Sequence, residues 1–228
     1  MSTALTQGEL YSLTLHRNGL QSQRLKHLWG ALISRDCKLT SLNISANRLG
    51  DEGIMHLCNV LTSDNCKLTS LNVSWNSFGS VGLKHLCDAL ISTNCTLTSL
   101  NVSGNGFGDE DIMHLFTVLT STSCTLTRLD VRCIGAGDRA VKELARALTN
   151  KNCALTSLDI RDNKIRDEGI KYLCKALTDP NCKLRSLDLR GNWKVTDVGK
   201  QCLSEATTGT DWEVRGGLVL SRSIKSEA

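Results

Sequence analysis

The stretch CKLTSLNVSWNSFG, Cys66–Gly79, decides how the chain is read. Within it Leu68, Leu71, Val73, Asn76 and Phe78 follow the pattern LxxLxLxxNxL, and Trp75 stands between a strand-like run and an asparagine. The pattern also starts at Leu10, Leu39, Leu97, Leu126, Leu155 and Leu184, so it occurs seven times at a constant spacing of 29 residues. Self-similarity at a fixed period of this length marks a stacked repeat architecture, in which each unit buries its apolar face only against its neighbours.

The second half of each unit reads as a helix. Ile54, Leu57, Cys58 and Leu61 fall at i, i+3, i+4 spacing, which is one apolar helix face. Leu83-Leu86-Cys87-Leu90, Ile112-Leu115-Phe116-Leu119, Val141-Leu144-Ala145-Leu148 and Ile170-Leu173-Cys174-Leu177 repeat it. Asp51, Asp109, Asp138 and Asp167 stand before these faces and are expected to cap the helices or occupy their first turns.

These units resemble leucine-rich repeats over roughly residues 8 to 207. The long period with a helical second half is similar to the ribonuclease-inhibitor subtype. The phrases NCxLTSLxL and DEGIxxLCxAL look most like the repeat region of NOD-like receptors. The implied fold class is α/β, a curved solenoid or horseshoe with parallel strands on the concave face and helices on the convex face. Strands pair at ~4.8 Å and helices pack at ~9 Å, so stacked units must bend with the strands inside. The expected organisation is one domain over 1–228: a short lead over 1–9, seven repeats over 10–207, and a closing segment and tail over 208–228. Trp212, Leu218 and Leu220 are expected to cover the C-terminal end of the core, with Ser221 to Ala228 frayed.

Composition narrows the function classes. Net charge is +4, too mild to point to nucleic acid or an acidic membrane surface without a clustered basic patch. The opening MSTALTQGELYS shows no basic region followed by an apolar run, so a cytoplasmic, reducing setting is expected for the eleven cysteines. Cys37, Cys66, Cys95, Cys124, Cys153 and Cys182 form a column that reads as small buried apolar residues, since no C-x-x-C pair occurs. His27, His56, His85 and His114 read as a solvated convex column. Asn18, Asn47, Asn76, Asn105, Asn163 and Asn192 read as buried amides that satisfy loop backbone groups.

Candidate binding residues lie where the strands face outward. Asn43, Asn72 and Asn101 form one outward column, with Ser45, Ser74 and Ser103 beside it. Asp130, Asp159 and Asp188 continue it, flanked by Arg132, Arg161 and Arg190, with Arg128 and Arg185 adding positive charge. Two readings stand open: a self-paired surface lattice, worth ~0–1 kcal/mol per pair, or a patch that recognises a charged partner. The counterparts of Trp75 are Arg17, Ala46, Gly104, Cys133, Asp162 and Gly191, a range no core position accepts, so its indole is expected at the edge of the concave face. It is then either a binding anchor or a ring lying flat over Ala46 and Gly104.

The pattern breaks in repeat five, where Ile134 and Ala136 replace the asparagine and the next large apolar residue, and a distortion is expected near Cys133 to Gly137. Repeat seven carries one extra residue at Trp193-Lys194, and its helix is expected to lose apolar faces at Lys200 and Thr207.

No Gly-rich phosphate loop, metal spacing or nucleophile–base pair is visible, so the chain reads as a non-enzyme without cofactor or metal. The resemblance implies a non-catalytic scaffold that holds a protein partner in its concave face, in innate-immune-type sensing. A stand-alone microbial effector or enzyme inhibitor, and a small-GTPase activator, are the alternatives. A small-molecule substrate, a membrane and nucleic acid are not expected, whereas open solenoid ends invite weak self-association.

Overall fold

Alternation along each LxL run makes a strand of three residues, and the i, i+3, i+4 faces make a helix behind it. In the structure, a computed structural model describing residues 10–222, the strands are β1 (Ser12–Thr14), β2 (Ser41–Asn43), β3 (Ser70–Asn72), β4 (Ser99–Asn101), β5 (Arg128–Asp130), β6 (Ser157–Asp159) and β7 (Ser186–Asp188). The helices are α1 (Lys26–Leu32), α2 (Gly50–Leu61), α3 (Ser80–Leu90), α4 (Asp109–Val118), α5 (Asp138–Leu148), α6 (Asp167–Leu177) and α7 (Asp197–Thr207). Strands β1 to β7 pair in parallel with each central leucine opposite its counterpart, Leu13 against Leu42 against Leu71 and onward. The result is the expected α/β solenoid, with strands on the concave wall and helices on the convex one.

The far end is closed by a hairpin, β8 (Trp212–Arg215) and β9 (Val219–Arg222), with β9 antiparallel to β7. Trp212 and Leu220 are buried there and Leu218 is half-buried. Ser221 and Arg222 belong to β9 rather than to a frayed tail. The expected lead over 1–9 and the rest of that tail lie outside the described residues.

Between the layers runs one aliphatic core. Leu42, Leu71, Leu100, Leu129, Leu158 and Leu187 are each at most 2% exposed, and burying a leucine stabilises by about 1.5–3 kcal/mol. The cysteine column is buried as expected; the Cys66 N–H donates to Ser63 O (3.0 Å), closing the turn that follows each helix. Burial also pushes the Cys58 and Cys87 thiols up to about 12. Thr207 replaces an apolar residue as expected yet still faces the core, its buried hydroxyl satisfied by donating to Leu203 O in its own helix (2.8 Å).

Two sets of side chains tie successive repeats together. In the strand layer, Asn163 Oδ1 accepts from the N–H groups of Ile134 and Ala136 in the preceding repeat (3.2 and 3.0 Å). Its Nδ2 donates to Val131 O in that repeat (2.9 Å) and to Ile160 O and Arg161 O in its own (both 3.0 Å). Asn47 does the same for Asn18 N and Leu20 N (3.1 and 2.9 Å). Asn105 and Asn192 each accept one N–H of the loop before them, from Asn76 and Ile165 (2.8 and 3.2 Å), whereas Asn76 reaches back only through Nδ2 to Ile44 O (3.0 Å) and its buried Oδ1 has no partner among the described residues. Asn18, with no preceding repeat among the described residues, is exposed and donates only to His16 O (3.1 Å).

The expected distortion in repeat five falls one repeat earlier. Asn163 holds the loop around Ile134 and Ala136, whereas Ile134 has no amide to offer repeat four. There Phe107 N turns back onto Asn105 O (3.1 Å), and Phe107 is half-buried while its counterparts Phe78, Ala136 and Ile165 are fully buried.

The helix layer carries a second tie. Asp51, Asp109, Asp138 and Asp167 occupy first turns as expected, but they do not cap their own helices. Asp51 Oδ1 accepts from Gly79 N and Gly82 N of the next repeat (2.8 and 2.9 Å), and Asp138 Oδ1 accepts from Arg166 N and Gly169 N (2.8 and 3.0 Å). Glycine makes room for the second bond, since a Cβ at Gly169 would sit 2.6 Å from Asp138 Oδ1; in repeat five Ala140 takes this position and Asp109 accepts from Gly137 N alone (2.7 Å). At one junction Ser80 replaces the aspartate and Asp111 replaces the glycine. Gly108 N is then held by Asp111 of its own helix (2.9 Å), and α3 and α4 stand apart around a cavity of about 510 Å³.

Candidate functional site: the concave wall

The concave wall is built from one local motif in two chemical versions. Asn43 Oδ1 accepts from Ser45 N (3.0 Å) and Ser45 Oγ (2.6 Å), and Asn72–Ser74 and Asn101–Ser103 repeat it. Ser45, Ser74 and Ser103, expected to face outward, are instead buried, because the hydroxyl folds back onto the asparagine two residues earlier. In repeats five to seven the acceptor is Asp and the donor Arg: Asp130 Oδ1 accepts from Arg132 N (3.2 Å) and Arg132 Nε (2.9 Å).

The charged version also connects repeats. Arg132 reaches its own Asp130 (Nη2 to Oδ2, 2.8 Å) and Asp159 of the next repeat (3.4 Å). Arg161 bridges Asp159 (2.7 Å) and Asp188 (3.4 Å), and Arg190 ends the series on Asp188 (2.6 Å). Asn101 Nδ2 starts it by donating to Asp130 Oδ2 (2.9 Å). The geometry is that of the self-paired lattice. Its hydrogen bonds raise Arg132, Arg161 and Arg190 above the usual guanidinium value. Burial pushes the Asp188 carboxyl up, but its bonds to Arg190 and the charge of Arg161 outweigh this and leave it below the usual carboxylate range. Arg128, on the same face of β5, and Arg185, on the rim before β7, are exposed and make no ion pair among the described residues.

Trp75 belongs to a column that turns left-handed in every repeat. Arg17, Ala46, Trp75, Gly104, Cys133, Asp162 and Gly191 have φ between +52° and +71°. A left-handed residue costs ~1–2 kcal/mol without glycine, yet only two of the seven are glycine. Those two follow from the side chain one repeat before. A Cβ at Gly104 would overlap the Trp75 ring, and one at Gly191 would overlap Asp162 Oδ1. The indole therefore lies against Gly104 and is 56% exposed. Cys133 is exposed in this column, with its thiol pushed up by partial burial and by Asp162. His16 lies at the N-terminal rim, where its Nδ1 meets Ser45 Oγ (2.8 Å).

The sequence-selected residues therefore share one wall, with Arg185 at its rim. The sequence reading missed a basic cleft on the flank around Lys164, Arg166 and Lys194. Its visible signal was the glycine-rich GAG run, Gly135–Gly137, which leaves the space open. Among the described residues no three His, Cys, Asp or Glu side chains converge as a metal site, and no helix is long and apolar enough to cross a membrane.

A sequence model of the Leucine Rich repeat family matches residues 35–58, 64–87, 93–116, 151–174 and 181–204, more than half of the chain. The unmatched segment between 116 and 151 contains the irregular repeat five. No curated protein matches. Among solved structures, the chain is similar to Rad7 in the yeast Rad7–Elc1 complex at 22% identity and TM-score 0.60, covering 89% of this chain and 48% of that one. The chain thus spans about half the length of that protein. Leiomodin-1 Actin-Binding Site 2 matches at 20% identity and TM-score 0.50, covering 56% of this chain and 75% of that one. Internalin C2 of Listeria monocytogenes matches at 18% identity and TM-score 0.50, covering 92% and 80%. At these identities the likeness is one of fold.

Proposed function

Because the chain belongs to the leucine-rich repeat family, we propose that it is a non-catalytic scaffold whose concave wall binds a protein partner. One observation carries the reading: Trp75 offers an indole that is 56% exposed, backed by Gly104, on a wall whose Asn–Ser and Asp–Arg side chains are paired with one another. A rigid aromatic with little entropy left to lose is the residue type that dominates interface energies. The Asp–Arg lattice orients a partner more than it attracts one, since its charges are neutralised internally. Asn43, Asn72, Asn101, Arg128 and Arg185 extend the same contact surface. Rad7, crystallised with Elc1, supports the reading by fold alone. Full helices in nearly every repeat support the ribonuclease-inhibitor-like subtype, and the likeness to NOD-like receptors rests on the repeat phrasing.

The test is affinity capture of a partner, followed by titration with folded variants. Trp75→Ala should weaken binding at least tenfold. Arg132→Ala, Arg161→Ala and Arg190→Ala together should weaken it less and alter its salt dependence. A partner that binds all variants equally would place the site on another face.

A further inference from the structure

Four successive loops meet on the flank where strands hand over to helices, around a cleft of about 400 Å³. Its floor contains Gly135 and Gly137. Gly135 is left-handed at φ +81°, and Lys164 Nζ lies 3.6 Å from where a Cβ would be built on it. The cleft is walled by Lys164, Arg166, Lys194 and Arg139. Arg139 contacts Glu110 at 3.4 Å, with both side chains largely exposed. Lys164, Arg166 and Lys194 make no ion pair among the described residues, unlike the arginines of the concave lattice. Arg166 and Lys194 are partners in a parallel β-bridge, so their side chains leave neighbouring backbones. Lys194 is half-buried, with Nζ 4.7 Å from the Trp193 ring centroid, which steadies the ammonium.

Two carboxylates also line the cleft, and both are engaged by backbone. Asp109 Oδ1 accepts from Gly137 N (2.7 Å), and Asp138 Oδ1 accepts from Arg166 N and Gly169 N. Three unpaired cations around a small open floor suit a compact anion with several acceptor oxygens. An arginine fork binds such a group in bidentate fashion, and lysines add point charges.

We propose that this flank cleft binds a phosphate monoester, carried on a small metabolite or on a side chain of a partner protein. An extended nucleic acid fits less well. The position of Lys164 is Ser77 in repeat three and Gly106 in repeat four, so the cations do not continue as a track. Asp109, Glu110 and Asp138 stand in the path of a longer polyanion. The phosphate monoester carries about −1.5 to −2 charge at neutral pH and gains its second charge near pH 6.

The experiment is a titration of the full chain with O-phosphoserine, inorganic phosphate and sulfate at matched ionic strength, followed through backbone amide resonances. The expected result is saturable shifts centred on Gly135 and Gly137. Phosphoserine binding should tighten from pH 5 to pH 7.5, whereas sulfate binding should not. The combined variant Lys164→Gln, Arg166→Gln, Lys194→Gln should bind at least tenfold more weakly, and the exposed single variant Lys164→Gln serves if the triple one does not fold. Trp75→Ala should bind as the parent does, so the result is independent of the concave wall. A capped phosphoserine tripeptide that binds more tightly than O-phosphoserine assigns the group to a partner protein; equal binding assigns it to a free ester. Shifts that spread over all lysines and arginines without saturating, or a triple variant that binds like the parent, would overturn the proposal.

Discussion

Replacing Asn163 by alanine tests whether buried amides hold the loops in place. The substitution removes five hydrogen bonds and leaves two buried donors, Ile134 N and Ala136 N, without their acceptor. At about 1–3 kcal/mol per orphaned group the loss is about 2–6 kcal/mol, and water entering the vacated slot returns part of it, so about 3 kcal/mol is expected. The control is Asn18→Ala, the same residue at the same position of the motif. Asn18 is exposed and makes one local bond as donor, so its loss should stay within about 0.5 kcal/mol. Urea unfolding should be followed by both circular dichroism and tryptophan fluorescence, because repeat arrays can unfold in parts. Hydrogen exchange should show the Ile134 and Ala136 amides losing protection in Asn163→Ala. Equal costs for the two variants, or unchanged protection of those amides, would refute the reasoning.

Two further outcomes are expected. Gly104→Ala should destabilise by more than the ~1–2 kcal/mol of a left-handed alanine, because its Cβ also meets the Trp75 ring. In a Trp75→Ala background only the backbone part should remain, and a double-mutant cycle on urea midpoints reads the difference. In acid, Asp188 and Asp167 have folded values lowered from 3.8, the latter chiefly by the Thr196 hydroxyl, so the unfolded chain binds protons first as pH falls. Their contribution is complete well above pH 3.8 and disappears as pH drops through their folded values. Thermal melts between pH 7 and pH 2 should show a shallower acid limb for Asp188→Asn; an identical limb would contradict the ladder's role.

The period carried the fold because one short motif sets strand, turn and helix at once. Leu71 and Leu100 could be placed inward, and Trp75 outward, from alternation and from the range of its counterparts. Longer-range partners were less legible. Asp138 reads as a helix cap because local propensity favours that role, yet its oxygen goes to the next repeat, a choice only stacking geometry makes. Ser45 reads as exposed from alternation, but its hydroxyl folds back onto Asn43. Ile134 marked a defect correctly, though its effect lands on Phe107, since the missing amide would have served the preceding unit. The flank cleft escaped notice because Lys164, Arg166 and Lys194 share no motif and meet only when the loops stack.

The amides that serve their predecessors give the array a direction. Asn163 fastens the loop of repeat five and Asn192 reaches Ile165 in repeat six, while repeat seven must close its own loop through Val195 N and Asn192 O. Trimming units from the amino end removes clients and idles only the first remaining fastener, as Asn18 is idle among the described residues. Trimming from the carboxyl end strips the clasp from the unit newly laid bare, so damage there should run backward along the array, one link after another.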